Sequence, residues 1–466
     1  MAVSGVVPVE LGDKKIKSLL MQYAVPAIIA MTASSLYNMV DSIFIGHMKD
    51  VGSYAISGLA VTFPLMNLST ALGTLVGVGA STILSVLLGQ KNYDVANKVL
   101  TNEVLLNIII GALFSVFTII YLDPILMFFG ASANTLPYAR EYMLIILIGN
   151  VITHLYFGLN NVIRASGNPK LAMGLTIFTV VSNTILDPIF IFGFDMGIRG
   201  AALATVLCQF LALLYSLKVF YDKNSFLHLP LKLSGYKLDW RIAKDALVIG
   251  MGPFLMNSAS CIVSMFINLQ LKKYGGDLSI GAYGIVNRIS FLFIMINMGF
   301  NQGMQPIAGY NFGARKYSRV REVFWLTVKC ATVVSCFGFI ISEFTPGLAV
   351  SLFTSDPELK SLAEKGLKLI NIAFPFIGFQ MVSTNFFQSM GMVKKSILLS
   401  LSRQLLFLVP AAYILPLFLG HKGVWLGFPV ADASSIFLSA ILLMFLFRKF
   451  NKLNDGDDPS ILGSKI

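Results

Sequence analysis

Ile108-Ile-Ile-Gly-Ala-Leu-Phe-Ser-Val-Phe-Thr-Ile-Ile120 is apolar on every face. Ile436-Phe-Leu-Ser-Ala-Ile-Leu-Leu-Met-Phe-Leu-Phe447 reads the same way. A strand of a membrane barrel alternates in polarity over about ten residues, and a surface helix of a water-soluble domain keeps a polar face. Neither pattern fits these runs. A helix lying in hydrocarbon does, because it satisfies every backbone polar group within its own segment.

Working outward, hydrophobic stretches of the length needed to cross a bilayer, roughly 17 to 25 residues, recur from Ile16 to Lys449. They predict twelve helices, at about 16–45, 53–88, 95–122, 138–163, 170–192, 199–221, 241–272, 279–309, 318–344, 361–389, 395–417 and 423–449. Composition agrees: 56% of the 466 residues are hydrophobic and 12% are charged, against about 25% charged in soluble domains. The fold class is an all-α polytopic membrane protein. Met1 to Lys15 is mixed and polar, and the first apolar run lacks a small-residue cleavage site, so the first helix is expected to be retained.

Charge sets the expected orientation. Most of the 35 Lys and Arg residues, including Lys14, Lys15, Lys91, Arg164, Lys170, Arg315, Lys394 and Arg448, fall in the termini and in the loops on the same side. The positive-inside rule then places both termini in the cytoplasm. The net charge of +12 reflects this bias, with anionic lipid as the expected contact and no role for nucleic acid. HExxH, GxSxG and GxxxxGK[ST] patterns are absent, so no enzyme chemistry, cofactor or ATP-driven pump is indicated. Cys208, Cys261, Cys330 and Cys336 form no CxxC pair and read as small core residues. His154 alone among the histidines is intramembrane, and reads as a hydrogen-bonded structural group more readily than as a proton carrier.

The chain repeats itself at half its length. Pro26 and Ala55 recur as Pro253 and Ala282, while Gly89 and Gly167 recur as Gly313 and Gly391. The offset within each of these couples is constant, and it hardly changes from one couple to the other. Six helices per copy is an even number, so the copies share an orientation and are expected to be two six-helix lobes related by a pseudo-two-fold along the membrane normal. The expected boundaries are 1–221 for the first lobe, 222–240 for a cytoplasmic linker, 241–450 for the second lobe and 451–466 for a tail.

Two acids stand inside lipid-spanning runs, Asp41 and Asp187. A charge at mid-bilayer costs about 2.5 to 3.5 kcal/mol on insertion scales, so such residues face a partner or a water-filled cavity. Asn183 lies one helical turn from Asp187, on one face of its helix, and Thr205 falls at a similar depth on the next helix. In the second copy the positions matching Asp41, Asp187, Asn183 and Thr205 are Asn268, Ala411, Phe407 and Phe428. The four polar groups could form one pocket able to exchange a proton or bind a cation, since two nearby carboxylates in low dielectric resist being charged together. The bland alternative is that the acids only crosslink helices. Pro26 interrupts the first helix and permits a kink, read either as a hinge or as a static bend. Asn150 could join the pocket. Arg403 and Asp432 could pair as a structural salt bridge, Gly73, Gly77 and Gly79 offer a close-packing face, and Asn311 is expected to bond the backbone near the end of its helix.

Leu36-Tyr-Asn-Met-Val-Asp-Ser-Ile-Phe-Ile-Gly46 resembles the first-helix signature of the MATE (multidrug and toxic compound extrusion) transporters. Arg164-Ala-Ser-Gly-Asn-Pro169, Gln305-Pro-Ile-Ala-Gly-Tyr-Asn-Phe-Gly-Ala314 and Phe386-Phe-Gln-Ser-Met-Gly391 add to the likeness, the last two pointing to the DinF-like branch. The resemblance implies export of small organic cations by antiport against protons, with sodium at the same site as an alternative ion. It implies a coupling site at Asp41, Asn183, Asp187 and Thr205, a bending helix at Pro26, and a cavity near Ser34 and Tyr37, with Asn150 a further candidate. A related branch carries acids in helices 7 and 10; here the stretches around Cys261 and Phe376 to Gln380 hold none, so a second-lobe sodium site is not expected. The expected surroundings are membrane lipids of the plasma membrane, and the expected state is a monomer without a bound metal. A lipid-linked sugar flippase of the same superfamily is the other reading; its anionic cargo calls for basic residues that the outer half of the first lobe lacks.

Overall fold

Helices make up the regular structure of the described residues, which in this computed structural model are 10–46, 52–222, 225–353 and 356–458. The spans are α1 (Ile16–Gly46), α2 (Gly52–Gly89), α3 (Tyr93–Ile120), α4 (Leu136–Ile148 with Asn150–Ala165), α5 (Pro169–Gly193), α6 (Ile198–Phe220), α7 (Trp240–Gly276), α8 (Leu278–Gly313), α9 (Tyr317–Phe344), α10 (Pro357–Ser389), α11 (Val393–Leu419) and α12 (His421–Phe450). Each is long and apolar enough to cross a membrane, α4 counting as one bent span.

Residues 138–163, expected as one helix, form one span broken at Gly149 with a 55° bend. A Cβ on Gly149 would lie 2.5 Å from both methyls of Val206, so α6 presses into the break where only glycine fits. Three other helices depart from regular geometry, α10 through a tight 3-10 turn at Asn371–Ala373. α5 widens into a π-turn at Ile189–Gly193 just after Pro188, which has no N–H to donate, and α11 contains a π-turn at Ser402–Leu408.

The repeat is written into the backbone. Lys91 (φ 58°) and Arg315 (φ 56°) take the same left-handed turn at matched positions of the two copies. Gly197 (φ 56°, ψ −138°) and Gly420 (φ 56°, ψ −139°) begin α6 and α12 alike. The next matched pair is equally close-packed: a Cβ on Gly200 would sit 2.7 Å from the carbonyl carbon of Phe190, and one on Gly423 2.5 Å from that of Leu415.

By contacts the chain forms two units, one of Met1–Asp13 and Ile29–Phe254, the other of Lys14–Ile28 and Leu255–Ile466. These cross the sequence halves beside the two matched prolines, Pro26 and Pro253. The start of α7 therefore belongs to the first unit, and the start of α1 to the second. In the first unit a Cβ on Gly250 would stand 1.7 Å from the Leu75 carbonyl oxygen, and one on Gly79 1.9 Å from that of Ala246. In the second unit a Cβ on Gly299 would meet the backbone of Ile28 at 2.7 Å, and one on Gly303 that of Ala24 at 2.6 Å. Leu75 and Gly79 match Gly299 and Gly303 in the repeat, so each unit grips the incoming helix at the same two turns. Backbone-to-backbone approach of this kind is how helices associate where lipid removes the hydrophobic drive.

A strap covers the turn after the second helix of each unit. In the first, Asn97 donates to the Phe226 carbonyl and accepts from the His228 N–H at 2.8 Å. In the second, the Gly456 N–H donates to the Arg315 carbonyl at 2.9 Å, and the Ser318 N–H and hydroxyl donate to Asp455 at 2.9 and 2.5 Å.

Candidate functional site

Within the first unit α5 and α6 bring three of the expected residues together. Asn183 and Asp187, one turn apart on α5, are buried, Asp187 completely. The Asn183 amide donates to the Thr205 hydroxyl on α6 at 3.2 Å, and that hydroxyl donates in turn to the Ala201 carbonyl at 3.1 Å. The Asn183 amide oxygen is left without a partner. Pro188 and the π-turn follow directly, so the helix widens at the acid, a feature frequent at functional sites. An acid, an amide and a hydroxyl at one depth supply the acceptors a proton or small cation needs.

The backbone of Asp41 and Tyr37 lies in α1, but their side chains, with the rest of 36–43, fall outside the described residues. Ser34 is half-buried on the same helix, and Pro26 is buried in the part of α1 that belongs to the second unit.

Asn150 is drawn into a different group. Its amide oxygen accepts from Ser69 at 2.5 Å and its nitrogen donates to the Gly111 carbonyl at 3.3 Å. Ser69 also meets His154 Nε2 at 3.2 Å, so His154 is hydrogen-bonded while its Nδ1 has no partner. Gly73 faces this ring and Gly77 faces Gly158, both closely: a Cβ would lie 3.2 Å from His154 Cδ2 and 3.0 Å from Gly158 Cα.

Nearby on α3 stands Glu103, which falls outside the acids singled out from sequence. It is 1% exposed, and its Oε1 accepts from the Asn107 amide at 2.6 Å. The sequence does carry a signal for it: an acid well inside a lipid-length helix, with an asparagine one turn further on.

In the second unit the positions matched to Asn183 and Thr205 are apolar in place as well as in sequence. Phe407 and Phe428 pack against the core around Ile267, Val286 and Trp425. Its buried acid is paired with a half-buried base: Arg403 Nε donates to Asp432 at 2.5 Å, and Gln404 beside it donates to Ser260 at 2.7 Å. Asn311 donates to the Ile307 carbonyl at 2.8 Å and accepts from Arg319 at 2.9 Å. Among the described residues no three His, Cys, Asp or Glu side chains converge as metal ligands.

Comparison with known proteins matches the MatE family model twice, over residues 26–189 and 253–414, one match per repeat. The multidrug export protein MepA of Staphylococcus aureus (strain MSSA476) is 29% identical over 430 residues, covering 92% of this chain and 93% of the relative. Among solved structures, an outward-facing multidrug resistance MATE family transporter of the MOP superfamily superposes with a TM-score of 0.88 at 24% identity, covering 97% of this chain and all of the other. A MATE protein in a bent conformation superposes with a TM-score of 0.89 at 23% identity, over 95% and 98% of the two chains.

Proposed function

The chain belongs to the MatE family, and from that premise we propose that it is a multidrug efflux transporter that exports small organic cations in exchange for protons. The observation that carries this is the buried Asn183–Asp187–Thr205 group, whose matched positions in the second unit are an alanine and two packed phenylalanines. Asymmetry of this kind costs stability, because burying an acid and its polar neighbours is expensive where the matched positions show that apolar packing would serve. Function is what retains it.

In this reading Asp41 approaches the same group, and Asp187 trades a proton for a positively charged cargo molecule held near Ser34 and Tyr37. Sodium is the competing ion. Both termini face the cytoplasm of a plasma-membrane protein surrounded by lipid and acting as a monomer. Pro26 is the hinge, supported by the change of contact unit just beyond it and by the bent form in which a MATE protein has been solved. The S. aureus relative is a multidrug export protein, which supports drug export as the activity.

The test is export of a fluorescent cation from proteoliposomes energised by a pH gradient or by a sodium gradient. Loss of export on collapse of the pH gradient alone supports proton coupling. Export driven by sodium without a pH gradient overturns it, and normal export by both Asp41→Asn and Asp187→Asn removes the site.

A further inference from the structure

We propose that Glu103 is a second proton-binding site of the first unit, set apart from Asp187 and built by three helix faces that converge on it. The faces are Ser69, Gly73 and Gly77 of α2, Glu103, Asn107 and Gly111 of α3, and Asn150, His154 and Gly158 of α4, each stepping by one helical turn. At every level a glycine makes room for a polar group. A Cβ on Gly158 would fall 1.8 Å from Glu103 Oε1 and 2.5 Å from the Asn107 nitrogen; one on Gly111 would fall 3.2 Å from His154 Nδ1.

The pocket is short of donors. Glu103 Oε2 and Asn107 Oδ1 are both buried acceptors without partners, and among the described residues no basic side chain forms an ion pair with Glu103. One proton on Oε2 turns that oxygen into a donor and removes the buried charge, whereas the carboxylate leaves two buried acceptors without a protein partner. The buried pocket therefore suits the acid form, and discharge requires a path to water. Proton uptake forms the Oε2–H bond as an O–H bond of hydronium breaks; release reverses it.

The charged and titratable groups around the pocket leave it to the proton. α2 contributes none from Gly58 to Gly89. From α4 come His154, held by Ser69, Arg164, which donates to Asn160 and Asn161, and Tyr156, turned to Thr176 and Thr179. Arg140 and Glu141, in the other arm of α4, pair with Asp123 and Arg199. On α7, which packs beside α3 through Ala243, the residues Arg241, Lys244 and Asp245 are exposed. On α3 itself Asp94 and Lys98 lie nearer the basic loops.

This deepens the proton-coupling reading and rests on it. Counted from the helix ends at the basic loops, Tyr93 for α3 and Pro169 for α5, Glu103 stands about three turns in and Asp187 about five, so a proton leaving Asp187 toward that side passes the depth of Glu103. The test is infrared spectroscopy of the full-length protein in lipid nanodiscs, titrated with acid and followed at the carbonyl stretch of protonated carboxylic acids. Wild type is expected to show a titrating component that Glu103→Gln lacks and Asp187→Asn keeps. Asn107→Ala, which removes the amide partner, is expected to move its midpoint. In proteoliposomes Glu103→Gln is expected to cut gradient-driven export about tenfold or more and to change its pH profile, with Glu103→Asp restoring part of the rate. A band identical in wild type and Glu103→Gln, or a midpoint indifferent to Asn107→Ala, overturns the proposal. Failure of Asp187→Asn to affect export would count against the coupling reading and leave the infrared result standing.

Discussion

The two units share one backbone plan and differ in what fills it. In the first, Ser69 bonds Asn150, His154 stands beside them, and Asn107 holds Glu103. The positions matched to Ser69, Asn150, His154, Asn107 and Glu103 are Phe293, Phe374, Gly378, Ala331 and Thr327. There the Ser69–Asn150 hydrogen bond is replaced by an edge-to-face contact of Phe293 with Phe374, centroids 6.2 Å apart, and Gly378 closes on Ala331 with 2.8 Å between its would-be Cβ and the Ala331 carbonyl. Thr327 turns its hydroxyl to its own helix. At these five positions the second unit replaces the buried acid, amides and imidazole of the first with packing, while one turn away, where the first unit has Gly73 and Gly111, it carries its own neutral pair, Asn297 donating to Ser335 at 2.9 Å. Its buried ion pair, Arg403 with Asp432, is internally neutral and so makes no demand on an outside ion.

That contrast can be broken in several ways. The largest expected effect is Asp187→Asn. A pH difference of about one unit contributes about 1.4 kcal/mol per proton exchanged for a singly charged cargo molecule, enough for about a tenfold cargo ratio across the membrane, and the variant is expected to hold no ratio at all in energised proteoliposomes. Cargo accumulation at the wild-type level would erase the functional difference between the units. Next is Asp432→Ala, which strands the Arg403 charge. A loss of about 3 kcal/mol is expected, the low end for breaking a buried pair because the Arg403 side chain keeps 29% exposure against 3% for Asp432. Thermal unfolding in detergent reads it, and an unshifted midpoint would mean the pair does not hold the second unit. Transport by any surviving protein should retain the wild-type pH profile.

Gly250→Ala and Gly303→Ala probe the matched helix seams of the two units. Each drives a methyl into facing backbone and is expected to cost about 1–3 kcal/mol, read by the same melts; a neutral result in one unit only would show that its seam can open. The smallest effect is at the strap on Arg315. Burial alone would raise the Asp455 carboxyl, but the Ser318 hydroxyl and N–H, the Tyr317 backbone and Arg321 hold it below the ordinary carboxylate value. Its contribution is complete above the ordinary value of about 3.9 and fades as the pH falls through the lowered one. Proteolysis of the tail should therefore be slow at neutral pH, quicken at strongly acid pH, and be fast at neutral pH in Asp455→Asn. Equal cleavage of Asp455→Asn and wild type at neutral pH would remove the carboxyl from the clasp.

Hydropathy recovers where the chain crosses the bilayer, and the spacing of glycines and prolines recovers the repeat, because both are local or periodic properties. The bend at Gly149 is not legible: it depends on Val206, two helices further along the chain, pressing on a position that reads as one more apolar residue. Nor is the exchange at Pro26 and Pro253, since amphipathic pattern does not say which neighbour a helix face meets. Asn183, Asp187 and Thr205 are legible from depth and spacing. Asn150 is buried as expected but bonds Ser69 and Gly111 rather than the acid, and Ser69 reads in sequence as an ordinary small residue. Glu103 escapes a reading that weighs only aspartates as buried acids and judges α3 by its later half, Ile108 to Ile120, which is apolar throughout.

The exchange of helix starts has a consequence for the handling of the chain. A protein severed in the loop near Lys232 would give fragments that each lack a piece of their own contact unit and carry a piece of the other's. Neither fragment is a free-standing module, so co-expression is the route to a functional split protein.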